Sequence, residues 1–287
     1  MRIVPFALFL LLCSCADSKT SQDNPLLYEA ATLSLDEASG LEYVNGILWT
    51  HEDSGNKNKL FKLNPATGAA DGIKVKGVKN NDWEDITSDA DGKLYIGDFG
   101  NNDNSRRDLA IYKIDPNAPS EVQYALNFYY PAQKEFPPGK KERNFDCEAF
   151  FEYNGYFYLF SKNRNFNSDG TVLVHKLENR KGYQAAQPAG SFKTCDNFRK
   201  CAIAGADISP DGKTVALISG DKLWLITGFT GDDFASGTLT PYDLGALTQK
   251  EGICFKDDNT LYIANERDKR TGGKLYTLNL ADLKANR

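Results

Sequence analysis

Histidine and helical periodicity are what this sequence most lacks. The chain has 287 residues and 2 histidines. Neither His51 nor His175 stands at metal-ligand spacing from a cysteine, which argues against a zinc site. Apolar residues recur at helical intervals almost nowhere, which excludes a mainly helical fold. Basic residues are not in excess, with Lys+Arg 34 against Asp+Glu 39 and a net charge of −5. That balance removes the attraction on which nucleic-acid binding depends.

Long apolar runs are missing beyond the N-terminus, so no later stretch is predicted to cross a membrane. At the N-terminus, Arg2 precedes an apolar run over residues 3–12. The run is too short for a spanning helix but fits a secretory signal. It leads into LCSC at residues 12–15, which resembles a bacterial lipobox and implies cleavage before Cys15 and acylation of that cysteine. Cleavage before Cys13, or a plain signal peptide, are the alternatives.

Three segments follow from this interpretation. Residues 1–14 are predicted to be a lipoprotein signal peptide, residues 15–24 the lipidated cysteine and a tether, and residues 25–287 the folded domain. By resemblance to enterobacterial sorting rules, Ala16 implies the bacterial outer membrane. We therefore expect a lipid-anchored, extracytoplasmic protein that faces the periplasm or the cell surface. Its expected partners are the membrane, through the anchor, and an unidentified small molecule, glycan or envelope protein, but not nucleic acid.

The remaining cysteines are expected to meet an oxidising compartment. Cys195 and Cys201 bracket the short loop TCDNFRKC and are the natural disulfide pair. So small a loop constrains the unfolded chain only modestly. Cys147 and Cys254 either pair with each other or stay as buried thiols, because sequence alone does not fix connectivity.

Five segments of the chain repeat one pattern of two apolar strands joined by a polar turn. They are SGLEYVNGILWTHED from Ser39, EDITSDADGKLYIGDFGNN from Glu84, EAFFEYNGYFYLFSKN from Glu148, AGADISPDGKTVALISGD from Ala204 and EGICFKDDNTLYIANER from Glu251. Asn-Gly and Asp-Gly between apolar runs are strong hairpin signals, because they accept the positive φ of tight turns. In most repeats a third strand follows, and a fourth can be placed less surely.

The repeat predicts an all-β fold, a single β-propeller. Successive segments start 45, 64, 56 and 47 residues apart, which is about one four-stranded blade each. Five blades are expected, and six are possible if residues 100–145 or 165–200 hide further strands. A strand within residues 26–35 is predicted to pair in the last blade and so close the ring. A β-sandwich is the alternative architecture.

Propeller geometry predicts where the polar residues meet. The start of the first strand and the end of the second lie at one end of each hairpin, so these positions converge around the channel mouth. The candidates for this ligand face are Glu84, Glu148, Glu251, Asp207, His51, Asp53, Asp98, Lys162, Arg164, Glu266 and Arg267. Carboxylates gathered near one axis repel each other unless a positive charge lies among them.

Two kinds of positive charge could fill that role. The first is Ca²⁺, a hard cation with oxygen ligands, for which the candidate ligands are Glu84, Asp98, Glu148 and Glu251. The second is a set of salt bridges to Lys162, Arg164 and Arg267, which would make the face a rim that holds the blades in register. No catalytic residue is identified.

The motifs LWTHEDSGNKNKLFKL, NDWEDITSDADGKLYIGDFGNN, NFDCEAFFEYNGYFYLFSKNR and AGADISPDGK resemble a group of secreted bacterial propellers. The group is common in Bacteroidetes and related to the phytase-like (esterase-like activity of phytase) and SdiA-regulated propeller families. The resemblance implies a calcium-associated acidic face and action on a phosphorylated or ester substrate. Glu84, Glu148 and Glu251 match the acidic blade-start position of that pattern, whereas Ser39 and Ala204 depart from it.

These observations lead to two functional hypotheses. The first is an envelope-anchored module that binds a ligand or a partner through the acidic mouth of its channel. The alternative is a Ca²⁺-dependent hydrolase of phosphate esters. Glycosidic chemistry between carboxylates on opposite sides of the channel is a remote third.

Overall fold

The computed structural model describes residues 26–269 and 271–285. These residues form five sheets, each built on four antiparallel strands and one of them extended by a fifth, so the predicted five-bladed β-propeller is confirmed. The predicted signal peptide, the lipidation site Cys15 and the tether lie outside the described residues. No helix among the described residues is both long enough and apolar enough to span a bilayer.

The strands follow the repeat closely. After β1 (Tyr28–Thr32), blade 1 contains β2 (Ala38–Val44), β3 (Ile47–Glu52), β4 (Lys59–Leu63) and β5 (Ala70–Lys74). Blade 2 contains β6 (Trp83–Ser88), β7 (Leu94–Asp98), β8 (Ala110–Ile114) and β9 (Val122–Tyr129). Blade 3 contains β10 (Asp146–Tyr153), β11 (Tyr156–Lys162), β12 (Thr171–Glu178) and, after β13 (Gly182–Ala185), β14 (Gln187–Lys193).

The second half of the chain completes the ring. Blade 4 contains β15 (Ile203–Ile208), β16 (Thr214–Ser219), β17 (Lys222–Thr227) and β18 (Thr238–Asp243). Blade 5 contains β19 (Lys250–Asp257), β20 (Thr260–Asp268), β21 (Thr271–Asn279) and β1. The helices are α1 (Phe198–Cys201), α2 (Leu280–Ala285) and a 3₁₀ turn at Phe234–Ser236.

The ring closes as the sequence predicts. Strand β1 pairs antiparallel with β21, with Tyr28 opposite Thr277, and becomes the outermost strand of blade 5. The innermost strands β2, β6, β10, β15 and β19 contact one another in that order, and β19 contacts β2. This pairing gives blade 5 its fourth strand, so no incomplete blade remains between the first repeat and the last.

Apolar packing between blades holds the ring together. The described residues form five buried apolar clusters, one at each blade interface. Between blades 2 and 3, for example, Tyr95 packs edge-on against Phe157, with ring centroids 4.9 Å apart. Each blade is therefore a two-faced sheet whose apolar faces are covered by its neighbours.

Local turn chemistry explains the hairpins. Asn45 and Asn154 adopt positive φ angles of 53° each, and the glycine that follows each one is also left-handed. Two-residue turns of this kind match the twist of the flanking strands, so the Asn-Gly pairs fix the register of the inner hairpins of blades 1 and 3.

The chain leaves blade 3 between β12 and β14. There β13 pairs in parallel with β9 and adds a fifth strand to the outer edge of blade 2. The stretch 165–200 therefore holds one extra strand, β13, but no sixth blade. The disulfide between Cys195 and Cys201, the pair that their spacing favours, closes a loop at its end. Cys147 and Cys254 are buried thiols in separate blades.

Candidate functional site

A β-bulge lies at the start of the innermost hairpin in every blade. In each pairing of the first strand with the second, the register shifts by one residue at the same place. The extra residues are Gly40, Glu84, Glu148, Ala204 and Glu251. Bulges change the direction in which a side chain projects. Three of the bulge residues are glutamates, and they come from blades 2, 3 and 5.

Blade 1 places Gly40, rather than Ser39, at the bulge. Gly40 has a φ of +66°, and a Cβ atom there would lie 2.9 Å from the Cα of Asp85 in blade 2. Ser39 instead donates a hydrogen bond of 2.7 Å to the backbone oxygen of Glu84. Blade 1 therefore contributes no bulge carboxylate, because its backbone lies too close to blade 2.

Five carboxylates at the channel mouth form no salt bridge with a lysine or an arginine among the described residues. They are Asp53, Asp82, Glu84, Glu251 and Glu266, and we call them the acidic mouth. Asp53, from the loop after β3, belongs to two groups of three: one with Glu251 and Glu266, the other with Asp82 and Glu84. In each group one oxygen per residue lies within 4.8 Å of the others.

Crowding and burial change the acidity of these groups. Burial, reinforced by the charges of Glu251 and Asp82, raises the pKa of Asp53 to about 7. Burial and the neighbouring carboxylates, Glu251 foremost, raise the pKa of Glu266 to about 9. Burial and the charge of Glu148 also raise the pKa of Glu84 and of Glu251, although Lys162 and Arg164 oppose the rise at Glu251. One carboxyl oxygen of Glu251 lies within 4.8 Å of one of Glu266, so a proton on either group relieves their mutual repulsion. The acidic mouth therefore retains protons at neutral pH unless a cation replaces them.

Glu148 has a different environment. Its Oε2 lies 2.6 Å from the Nζ of Lys162, and its Oε1 accepts from Arg164. Arg164 also donates from Nε to Asp146, at 2.6 Å. Burial acts to raise the pKa of Glu148, but Lys162 and Arg164 outweigh it and lower that pKa. On blade 3 the structure thus forms the salt-bridged rim.

Asp98 is also paired with a cation. Its Oδ1 lies 2.9 Å from Nη2 of Arg106, and its Oδ2 accepts from the hydroxyl of Tyr112 at 3.2 Å. Of the four residues predicted as Ca²⁺ ligands, the structure therefore brings Glu84 and Glu251 into the acidic mouth and places Glu148 and Asp98 in ion pairs. Arg106 comes just after the Asn-rich loop that follows β7. Nothing in the sequence of that segment predicts that Arg106 pairs with Asp98.

Asp207 lies deeper than the mouth, as its position three residues beyond the bulge of blade 4 requires. Its carboxylate accepts from the backbone N–H of Phe255 in blade 5, at 2.6 Å. Asp85 does the same across the channel, accepting from the N–H groups of Phe150 at 3.1 Å and Ala206 at 3.3 Å. These two carboxylates therefore connect blades to each other.

His51 and Arg267 are also turned away from the acidic mouth. Burial lowers the pKa of His51 to about 4, its Nδ1 lies 3.2 Å from the oxygen of Glu52, and its Nε2 faces the backbone of Asp85. Arg267 pairs with Asp36 at 2.9 Å and donates to the oxygen of Leu33 at 2.8 Å. Both residues support the fold, and Arg267 fastens the segment that follows β1.

Sequence reasoning missed Asp82 and Asp146. Asp82 stands two residues before the bulge residue Glu84 in the motif NDWED, and Asp146 stands two residues before the bulge residue Glu148 in NFDCE. The same spacing in two blades is a signal that could have been used. The spacing alone does not show that Asp146 pairs with Arg164 whereas Asp82 lies in the acidic mouth.

A pocket of about 290 Å³ opens beside blade 4. It forms where the bulge residue is the small Ala204 and the neighbouring turn contains Gly220. Charges of both signs line the rest of it, with Glu251, Glu266 and Asp268 beside Lys162, Arg164, Arg199 and Lys250. The missing carboxylate of blade 4 thus leaves room for a small polar molecule next to the acidic mouth.

We expect a Glu148→Gln variant to lose about 3 kcal/mol of unfolding free energy, because Lys162 would remain buried without its charge partner. The side chains of Glu148 and Lys162 are only 5% and 13% exposed, so water replaces little of the lost interaction. Urea denaturation measures the change. An Asp169→Asn variant, which removes the exposed pair with Lys193, should be nearly unchanged. Equal small losses in both variants would contradict the buried ion pair.

Comparisons with known proteins agree with the fold. The aldose sugar dehydrogenase of Streptomyces coelicolor, solved with bound PQQ, matches with a TM-score of 0.51 and 11% identity over 88% of this chain and 97% of that one. A gluconolactonase of Xanthomonas campestris gives 0.45 and 13%, over 88% and 87% of the two chains. The virginiamycin B lyase of Staphylococcus aureus gives 0.42 and 15%, over 85% and 66%.

No protein-family model matches the sequence, and the comparison with curated proteins finds no match. At 11% identity, the likeness to the dehydrogenase shows the fold alone, and one fold supports many activities. The function of this chain therefore depends on its own residues.

Proposed function

We propose that this protein is a cation-dependent binding module that takes a small anionic ligand into the pocket beside blade 4. The observation that carries the proposal is the position of that pocket. It shares Glu251 and Glu266 with the acidic mouth, and Lys162, Arg164 and Arg199 line it as well. A ligand there would meet both a cation site and fixed positive charges.

The residues present fit a divalent cation with oxygen ligands. Ca²⁺ binds oxygens at roughly 2.3–2.6 Å, so two of its ligands can be at most about 5 Å apart. The oxygens of Asp53, Glu251 and Glu266 satisfy that limit, since they lie within 4.8 Å of one another. Because this group lies on the pocket side of the mouth, we assign the ion to it rather than to the group with Asp82 and Glu84. Bound there, Ca²⁺ would supply a positive charge that attracts and orients the anionic group of a ligand.

The chain's own residues would do the rest of the binding. Arg164 is held in place by Asp146 and Glu148, so its guanidinium is preorganised at the pocket wall. Arg199 is exposed and adds a further positive charge to the lining. Gln249 donates to Glu266 at 2.9 Å and fixes the orientation of that carboxylate. We further propose that the propeller works as a lipid-anchored protein of the bacterial outer membrane, as the lipobox at residues 12–15 indicates.

Calorimetric titration of Ca²⁺ into the chelator-treated protein tests the proposal. We expect a dissociation constant at or below about 1 mM, the range of extracellular calcium modules. Asp53→Asn should weaken binding roughly 100-fold, because it removes a charged ligand. Glu266→Gln should have an effect of similar size, and Glu84→Gln a much smaller one.

Asp71→Asn is the matched control, since Asp71 is exposed on β5, away from the mouth. Absence of Ca²⁺ binding would overturn the cation site. A loss of binding in Glu84→Gln but not in Glu266→Gln would overturn its assignment to the pocket side.

Hydrolysis of a phosphate ester is the second candidate function, favoured by one observation. Lys162 and Arg164 line the same pocket as the proposed cation ligands Glu251 and Glu266, a combination of charges that suits a phosphate group. Turnover of p-nitrophenyl phosphate by the Ca²⁺-loaded protein, absent in Arg164→Gln, would support it. Binding of phosphate without turnover would leave the binding module as the function.

A further inference from the structure

A second cavity lies at the outer edge of blade 2, and none of its lining residues belongs to the acidic mouth. Its volume is about 200 Å³. The residues that decide its chemistry are Arg107, Leu109, Tyr129, Gln133, Phe136 and Tyr183. Five of its nine lining residues are aromatic, and a single region of the chain, residues 106–136, together with β13, builds it.

Two of the aromatic rings are exposed and stacked on each other. Because β13 pairs in parallel with β9, Tyr183 lies against Tyr129, with ring centroids 5.1 Å apart and planes 18° from parallel. Tyr183 is 66% exposed and Tyr129 40% exposed. Large aromatic side chains left together at a surface are typical of a binding site. The pair forms because the chain leaves blade 3 after β12 and adds β13 to the edge of blade 2.

Arg107 gives the cavity its charge. Its guanidinium lies 3.7 Å from the ring centroid of Phe136, and no carboxylate of the described residues pairs with it. The adjacent Arg106 differs, because Asp98, Asp108 and the oxygen of Gly100 occupy its donors. Arg107 is therefore a cation, fixed on an aromatic face, that remains available to an anion.

Apart from the two arginines and the tyrosine hydroxyls, Gln133 is the one polar side chain in the lining. The amide nitrogen of Gln133 is committed to the backbone oxygens of Asn104 at 2.6 Å and Glu135 at 3.3 Å. Its oxygen accepts from no donor among the described residues, so it can receive one hydrogen bond from a ligand. A sugar needs several partners for its hydroxyl groups, whereas an aromatic ring with one acidic group needs few.

We propose that this cavity binds a small aromatic carboxylate. The ring would lie among Leu109, Phe136 and the tyrosine pair, the carboxylate would pair with Arg107, and a ring hydroxyl would donate to Gln133. The size agrees, because an apolar cavity of about 150 Å³ takes benzene, and about 200 Å³ leaves room for one substituted ring.

Titration of 4-hydroxybenzoate into the protein by calorimetry, with chelator present, tests this second site separately from the mouth. We expect a dissociation constant at or below about 1 mM, a modest affinity suited to so small a ligand. Arg107→Gln should weaken binding at least about 10-fold by removing the charge partner. Both Arg107 and Tyr183 are exposed, so Arg107→Gln and Tyr183→Ala should fold normally, which circular dichroism checks.

Arg180→Gln is the matched control, because Arg180 is an exposed arginine paired with Glu178 outside the cavity. The neutral analogue 4-hydroxybenzamide should bind at least about 10-fold more weakly than the carboxylate. Unchanged affinity in both Arg107→Gln and Tyr183→Ala would overturn the site. Tighter binding of glucuronate than of 4-hydroxybenzoate would overturn the ligand class, and no binding of any probe would overturn the proposal.

Discussion

We expect an Asp85→Ala variant to lose about 4 kcal/mol of unfolding free energy. The Asp85 carboxylate accepts three backbone N–H groups: Ile86 at 2.9 Å, Phe150 at 3.1 Å and Ala206 at 3.3 Å. Asp85 is fully buried, so no water replaces it. Each buried donor left without a partner costs about 1–3 kcal/mol. Since the three donors belong to blades 2, 3 and 4, the loss also weakens the contacts between blades.

Guanidinium or thermal denaturation measures this effect, and a loss of that size lowers the melting temperature by roughly 10 °C. Asp85→Asn should fall between the wild type and Asp85→Ala, because the amide keeps one acceptor oxygen. Asp91→Ala, at an exposed hairpin turn, should be nearly unchanged. A small loss in Asp85→Ala would show that the innermost strands do not need this carboxylate.

We also expect the calcium-free protein to become less stable as the pH rises from 5.5 to 8.5. Burial and neighbouring carboxylates raise the pKa of Asp53 to about 7 and that of Glu266 to about 9, from ordinary values of 3.8 and 4.5. Burial also raises the pKa of Asp146 to about 8 and that of Asp207 to about 7. The unfolded chain releases these protons near pH 4, whereas the folded protein retains them.

The direction of this pH dependence follows because the folded state holds these protons and the unfolded state does not. Stability is full below the ordinary pKa values and falls as the pH rises towards the folded values, by at most about 1.4 kcal/mol per pH unit for each retained proton. Asp53 and Glu266 are partly solvated, so the summed loss of unfolding free energy is smaller than this upper limit. A decrease of roughly 5–10 °C in melting temperature between pH 5.5 and 8.5 is expected, measured by scanning calorimetry with chelator.

Calcium should counteract the loss of stability at high pH. Metal ligands must lose their protons, so Ca²⁺ binding at neutral pH should release protons, and its affinity should rise with pH. The stabilisation by 10 mM Ca²⁺ should therefore be larger at pH 8.5 than at pH 5.5. The double variant Asp53→Asn with Glu266→Gln should show a shallower pH dependence and no calcium response, and Asp71→Asn should resemble the wild type. Equal stabilisation at both pH values would contradict proton release from the mouth.

The fold was predictable from the sequence because its signals are local. Asn45-Gly46 and Asn154-Gly155 mark turns that only a few residue types can form, and the apolar runs on either side supply the strands. The spacing of the repeats then gives the number of blades. The closing strand β1 could be placed because blade 5 would otherwise lack its fourth strand.

The candidate site was only partly predictable, because its chemistry depends on pairings between distant segments. Glu84 and Glu148 have the same place in the repeat, yet Glu84 lies among carboxylates and Glu148 between Lys162 and Arg164. Asp98 was a plausible ligand until the structure placed Arg106 against it. No local pattern distinguishes these environments.

By itself the sequence determined the five blades, the hairpin turns, the ring closure and the end of the channel at which acidic residues gather, because turn chemistry and strand periodicity act over a few residues. Only the tertiary structure decided which carboxylates are neutralised by Lys162, Arg164 and Arg106 and which remain in the acidic mouth. It also decided that Tyr129 and Tyr183 stack, since β13 pairs with a different blade from the one on either side of it in the chain. Those contacts join residues far apart in sequence, and they depend on distances that no single repeat encodes.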